Sequence, residues 1–381
     1  MRPGERLSLL LKLFLPFIVL FSLNAHPKSF AVTDALKQFE LERQAGQYHE
    51  AARALRLAVE REPWRTALWE QIGINELEAG QIPEAIEALQ KASAAGRISA
   101  EGVFRLGEAY KLAGNAGLAE AAWRGLLTWP GAAEPGLNSR VFEQLVQIHH
   151  ERGDYAAAVE ILRAWRAAEP ENPRVAFMLG LYLTVVEPDQ AVPFLVAASQ
   201  MDTAFTPMVQ KIRRGINQAA ETEEPGLGWV LIGRALGSAG EWDLAAEAFR
   251  LATIAAPGYA EAWAFLAEAR YQMGSSGRQE LARAVELDPD SVVVRALAAL
   301  DYRRQGKPEQ ALIYLQEVAG QEPEEPIWQV ELANVQVELG DLQAALRGVK
   351  EVLFARRFWS FSGQAAFFTG GFMALQGLWA V

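Results

Sequence analysis

The residues able to do chemistry are few. The 381-residue chain has four histidines and no cysteine, which excludes disulfides, thiol nucleophiles, thiolate metal sites and a lipid-bearing N-terminal cysteine. His149-His150-Glu151 sets three metal-ligating types side by side, but neighbouring residues on a helix point in different directions. A helical metal pair commonly stands four residues apart, so His149 is expected as a packed, hydrogen-bonded side chain. Gly226-Leu227-Gly228 ahead of Gly233 has the outline of a dinucleotide loop, yet the third glycine is displaced and no strand precedes it. Gly306-Lys307-Pro308 lacks the hydroxyl and upstream glycine of a phosphate loop. Carboxylates abound, but no pair is marked out locally as acid and base. The chain is therefore not read as an enzyme, and no metal or cofactor set is assigned. Eleven tryptophans could build a cage for a cation. Trp69, Trp123, Trp165, Trp229, Trp242 and Trp263 fall at recurring packing positions, which leaves Trp64, Trp129, Trp328, Trp359 and Trp379 unassigned.

The elements that must carry these residues are helices. From Gly226 to Pro257, Trp229, Ile232, Gly233 and Leu236 recur at spacings of three and four and share one helical face. Gly240 ends that helix as a residue tolerant of a left-handed backbone. Trp242, Ala245, Phe249 and Ala252 then mark a second helix, closed by Pro257. Gly233 and Ala245 are small where the paired helices must approach, and Trp229 and Phe249 fill the wider gaps. The order aromatic, aliphatic, Gly, turn Gly, Ala, aromatic, Ala, Pro resembles the tetratricopeptide repeat, or TPR. With the turn glycine as fixed point, nine units begin at Val32, Thr66, Ala100, Ser139, Pro173, Gly226, Ala260, Val292 and Pro326. Five of the eight intervals equal the family period of 34. The fold class implied is all-α, a right-handed solenoid of about nine helix-turn-helix repeats in which each unit contacts its neighbours.

Irregularities set the domain boundaries. The first unit is worn, with Gln38 and Phe39 at an aliphatic and a glycine position, as suits a terminal repeat. Pro83-Glu84 and Pro308-Glu309 open second helices with a first-turn proline and an acid near the positive end. The fifth unit is one residue short at Glu187-Pro188-Asp189 and lacks the turn glycine. An amphipathic insert at 207–220, with Val209, Ile212 and Ile216 on one face, falls within 203–225. It is expected to divide repeats 32–202 from repeats 226–357.

Residues 1–31 read as a signal peptide or N-terminal anchor. Arg2 and Arg6 precede a 13-residue uncharged run, Leu13 to Ala25, and Ser29-Phe30-Ala31 offers a cleavage site. Localisation is accordingly expected to be exported, either extracytoplasmic (periplasmic) or anchored to the cytoplasmic membrane. The remaining chain has net charge −14, which argues against nucleic acid as a partner. Residues 358–381 hold no charge, and three readings stay open for them. One is a degenerate tenth repeat on Trp359, Gly363, Gly370, Phe372 and Trp379. The others are a membrane segment, for which the length suffices, and a dimerisation surface. Gln364 and Gln376 and the positive-inside bias weigh against the span.

The resemblance implies a protein or peptide partner held in a concave groove lined by the first helix of each unit. The groove residues it implies are Glu70, Ile74, Leu77, Phe104, Arg105, Glu108, Lys111, Arg140, Glu143 and Gln147, then Phe177, Leu181, Arg234, Glu268, Tyr271 and Arg303. The Lys and Asn pairs by which some family members clamp a carboxy-terminal carboxylate are missing. The function expected is an exported or membrane-tethered scaffold. The alternative is an integral membrane protein whose terminal segments insert, membrane association through the termini being common to both.

Overall fold

A glycine in the left-handed region closes helix after helix along the chain. At Gly80 the backbone φ is +74°. Its N–H donates to Leu77 O (2.9 Å), and the N–H of Gln81 donates to Glu76 O (2.8 Å). This paired closure satisfies two carbonyls that a helix end would leave bare. The same two bonds recur at Gly46, Gly114, Gly153, Gly240, Gly274, Gly306 and Gly340. Only glycine adopts that backbone without a Cβ penalty, so a periodic glycine writes a periodic turn.

The structure is a computed structural model that describes residues 31–129, 136–322 and 326–355. Residues 1–30 of the expected leader (1–31) and the tail 358–381, with Trp359 and Trp379, lie outside these residues. Two compact units are present, one ending at Ile161 and one beginning at Leu162. The first contains α1 (31–44), α2 (Tyr48–Arg61), α3 (Leu68–Glu78), α4 (Ile82–Ala94), α5 (Ala100–Leu112), α6 (Ala116–Leu127), α7 (Leu137–Glu151) and the start of α8 (Tyr155–Ala168). The second holds the rest of α8, α9 (Pro173–Val186), α10 (Pro188–Met201), a 3-10 turn (Thr203–Phe205), α11 (Thr206–Ala220), α12 (Pro225–Ala239) and α13 (Trp242–Ala255). It continues with α14 (Ala260–Gln272), α15 (Arg278–Leu287), α16 (Val292–Arg304), α17 (Pro308–Gln321), α18 (Pro326–Glu338) and α19 (Leu342–Ala355). No strand occurs among the described residues, and none of their helices is long and apolar enough to cross a membrane.

The second helices α4, α6, α13, α15 and α17 each pack on their own first helix and on the first helix of the next repeat, as α4 does on α3 and α5 and α13 on α12 and α14. Small residues set the approach. A Cβ on Gly233 would stand 2.5 Å from Phe249 Cε1, and one on Gly107 would stand 2.3 Å from Trp123 Nε1. Both lie far inside van der Waals contact. Gly73 meets Leu89 and Gly180 meets Leu195 in the same way. The fifth turn has no glycine because it is shorter. Glu187 (φ −144°, ψ 73°) ends α9 and also precedes α10, and Pro188 fixes the first turn of α10.

The insert forms α11, which packs against α10 and α12 inside the second unit. Val209, Ile212 and Ile216 are buried, and Gly215 lets Ala235 approach.

Candidate partner-binding face

The first helices α3, α5 and α7 of the first unit carry ten of the implied groove residues, and the side chains there are linked from repeat to repeat. Glu70 reaches the start of α5, where its carboxylate accepts from Ser99 N–H and Ser99 Oγ–H, both at 2.6 Å. Ser99 in turn caps α5 by accepting from Gly102 N–H (3.0 Å). An anion at that helix end complements the macrodipole. Gly102 is required for the approach, since a Cβ there would lie 2.8 Å from Glu70 Cδ.

Arg105 is ringed by carboxylates, with Glu101 at 2.9 Å, Glu108 at 3.0 Å and Glu78 at 3.4 Å. Burial lowers its pKa, but Glu108, Glu101 and Glu78 outweigh this and the net shift is upward. Arg140 donates from Nη1 to Glu101 Oε2 (2.7 Å) and from Nη2 to Oε1 (3.2 Å). Its guanidinium lies 4.0 Å from the Phe104 ring centroid, a fork-on-carboxylate and cation-on-ring arrangement that lysine could not copy. Burial pushes the Glu101 carboxyl up, but Arg140 and Arg105 hold it below the ordinary carboxylate value. Glu108 goes the other way, lifted by burial despite Arg105. Lys111 pairs with Glu151 at 3.0 Å. Thus α5 and α7 are bridged by Arg140–Glu101 near their starts and by Lys111–Glu151 near their ends. Ile74, Leu77, Glu108 and Glu143 are half-buried along this face, and Gln147 is exposed.

Phe104 belongs to the packed interior instead. It is buried, its ring centroid lies 5.9 Å from that of Trp123, and its carbonyl accepts from Trp123 Nε1–H (3.1 Å). In the second unit Phe177 and Leu181 are likewise buried, Phe177 stacking on Phe205 with centroids 4.6 Å apart. Glu268 is also interior, with Oε1 accepting from Arg304 (2.7 Å) and Gln272 (2.8 Å). Tyr271 donates to Asp301 Oδ1 (2.6 Å) beneath the Arg304 guanidinium, and burial with the Asp301 hydrogen bond pushes its pKa up. Arg303 joins Glu331 (2.6 Å) and Glu338 (2.5 Å). Arg234 lies 5.8 Å from the Phe265 ring centroid, and burial lowers its pKa.

His149 is packed as its position implies, 5% exposed, with Nε2 3.3 Å from Glu120 Oε1 and 3.4 Å from Arg124 Nη2. Trp328 is buried and donates to Glu322 (2.7 Å), whereas Trp64 is 73% exposed. Among the described residues no three His, Cys, Asp or Glu side chains converge as metal ligands would. One feature had no signal in the spacing. A cleft of about 470 Å³ opens between the turn before α12 and the turn before α14, lined by Glu223, Glu224, Leu227, Pro257 and Tyr259 among others.

A family model described as tetratricopeptide repeat matches residues 70–133, 230–292 and 297–355. No curated protein matches the sequence. Among solved structures, the C-terminal part of a TPR repeat-containing protein from Cytophaga hutchinsonii is similar at 13% identity and TM-score 0.38, over 78% of this chain and 99% of its own. A chain of Naa15/Naa10 bound to HypK-THB is similar at 16% identity and TM-score 0.35, over 88% of this chain and 58% of its own. The TPR2AB-domain:pHSP90 complex of yeast Sti1 gives 15% identity and TM-score 0.29, over 84% and 98%.

Proposed function

The chain belongs to the tetratricopeptide repeat family, and from that premise we propose that it is an exported scaffold whose first-helix face, from Glu70 to Gln147, holds a segment of a protein partner. The observation that carries this reading is the fixed row of charges along α3, α5 and α7. Arg105, Glu101, Arg140 and Lys111 are each held by a neighbour at 3.0 Å or less. Polar groups already ordered lose little further freedom when a partner docks. Half-buried Ile74 and Leu77 lie on the same run of helices, which suits a segment of mixed apolar and charged residues. Both signs of charge on one face favour selectivity through complementarity over raw affinity.

A photo-cross-linking residue at Gln147 tests this in the native host, with the same residue at exposed Leu57 of α2 as reference. One recurrent protein should cross-link from Gln147 and not from Leu57, and Lys111→Glu should lower that yield about tenfold. Equal cross-linking from both positions, or indifference to Lys111→Glu, overturns the assignment.

Export rests on Arg2, Arg6 and the apolar run Leu13 to Ala25. Intact mass and fractionation test it: a mature protein beginning at Val32 and released by carbonate supports export. A full-length mass that resists carbonate instead places terminal segments in the bilayer.

A further inference from the structure

We propose that the outward face of α11 docks an acidic segment of a protein partner, on a surface separate from the first-helix face of the first unit. α11 is the helix that interrupts the repeat period. Its inward side is accounted for: Val209, Ile212 and Ile216 are buried, and Gly215 admits Ala235 of α12. Its outward side is of one sign. Residues 203–220 hold Lys211, Arg213 and Arg214 and no Asp or Glu, in a chain that beyond residue 31 has net charge −14. All three cations are exposed, and so are Gln210, Asn217 and Gln218 beside them.

Lys211 is already committed. Its Nζ donates to Ser238 O (3.0 Å), at the negative end of α12. Arg213 and Arg214 have no carboxylate partner among the described residues. Elsewhere in the same unit Arg270, Arg283 and Arg304 pair with Glu280 at 2.8 Å, Glu286 at 3.1 Å and Glu268 at 2.7 Å. Two solvated guanidiniums, adjacent in sequence, present forks that match carboxylates.

Charge makes the occupant an anion, and the neighbouring residues set its shape. Glu221, Glu223 and Glu224 follow α11, and Glu221 is an exposed extension of the helix at its C-cap. It stands seven residues beyond Arg214, about 10 Å along a helix axis, which exceeds the screening length of about 8 Å at physiological salt. A narrow chain laid across Arg213 and Arg214 leaves these acids outside its footprint. A flat bilayer would meet them together with the arginines. Two free cations are also too few for a nucleic-acid backbone, which needs a longer basic track. A short run of Asp or Glu side chains fits the charge and the size.

The probe is a rhodamine-labelled peptide of alternating Asp and Glu. Its binding to the full chain is followed by fluorescence anisotropy at about 0.15 M salt, where that screening length applies. Arg213→Glu with Arg214→Glu should weaken binding about tenfold. Arg213→Lys with Arg214→Lys keeps the charge but loses the fork, and should weaken it about threefold. Arg61→Glu with Arg97→Glu reverses the same charge at two exposed positions of the first unit, and should leave the affinity within about twofold. Absence of peptide binding overturns the proposal, as does equal loss from the two pairs of charge reversals. So does a dependence on Arg213 and Arg214 seen with phosphatidylethanolamine–phosphatidylglycerol vesicles or single-stranded DNA but not with the peptide, which would make a bilayer or a nucleic acid the occupant. The reversals on α11 leave α3, α5 and α7 untouched, so failure here is distinct from failure of the first-helix face.

Discussion

Adding one methyl group at Gly107 sets two effects of known size against each other. In the middle of α5, alanine in place of glycine gains about 0.8–1 kcal/mol of helix propensity. The new Cβ would lie 2.3 Å from Trp123 Nε1, 2.6 Å from Cε2 and 2.8 Å from Cδ1. Restoring ordinary contact means moving a rigid indole by about 1 Å. Trp123 is fully buried and tied to Phe104 O at 3.1 Å, so the shift also strains a hydrogen bond worth about 1 kcal/mol. Overpacking of this kind costs about 1–3 kcal/mol, and with the bond strained the total is about 3. Gly107→Ala is then net destabilising by about 2 kcal/mol once the propensity gain is subtracted. Gly117→Ala, on the partner helix with nothing within 4 Å of its would-be Cβ, should stabilise by about 0.5–1 kcal/mol. Because stacked repeats unfold by neighbourhood, the assay is hydrogen exchange of peptides spanning 100–127, supported by urea titration. Equal gains in protection for both variants would show that α5 and α6 are not held at the distance Trp123 imposes, and would refute the account of the helix glycines.

Three further outcomes follow from the same contacts. Glu101 has its carboxyl pKa lowered from the ordinary 4.5, so its contribution is present above that value and lost as pH falls below it; exchange in 100–112 should rise there on acidification, and Glu101→Gln should remove that rise, leaving the opposite dependence of Glu108, whose carboxyl is raised by burial. Arg140→Lys keeps the charge but loses the bidentate pair and the Phe104 contact, and should cost about 1 kcal/mol in urea unfolding; no loss would mean the fork is solvated. Glu268→Gln should destabilise by about 1–2 kcal/mol and speed exchange in 260–272, since Arg304 and Gln272 lose a charged acceptor; unchanged exchange would mean that water replaces it.

Turns and helix pairs were legible because they depend on residue types that tolerate no substitute. Glycine closes eight of the turns with a left-handed backbone, and Gly73, Gly107, Gly180 and Gly233 sit where a Cβ would collide. Ile74, Arg105, Lys111 and Glu143, which the family resemblance implies for the groove, are half-buried on their first helices. Phe104, Phe177, Leu181 and Glu268 were misplaced for a physical reason. A first helix is enclosed both by its own second helix and by neighbouring repeats, and ten of the 14 residues of α9 are buried. A one-face reading is too narrow for such a helix, and it assigns core side chains to the groove. Trp328 escaped for another reason, its partner Glu322 lying in the preceding turn.

The repeat period also explains the charges. Glu101 and Arg140 are 39 residues apart, Glu268 and Arg304 are 36 apart, and Arg303 and Glu338 are 35 apart. Each separation is close to one repeat interval, and 39 is the interval between the starts of the third and fourth units. Pair rules for isolated helices look three or four residues away, whereas a solenoid brings side chains together one period away. The charges on the first-helix face therefore serve two ends. They fasten α5 to α7, α14 to α16 and α16 to α18, and under the proposed function those on α5 and α7 are also the surface a partner would meet. A partner that engages Arg140 competes with Glu101 for it, and one that engages Lys111 competes with Glu151. If the proposed partner binds there, its binding is coupled to the stacking of α5 and α7, the step at which the interval lengthens from 34 to 39 residues.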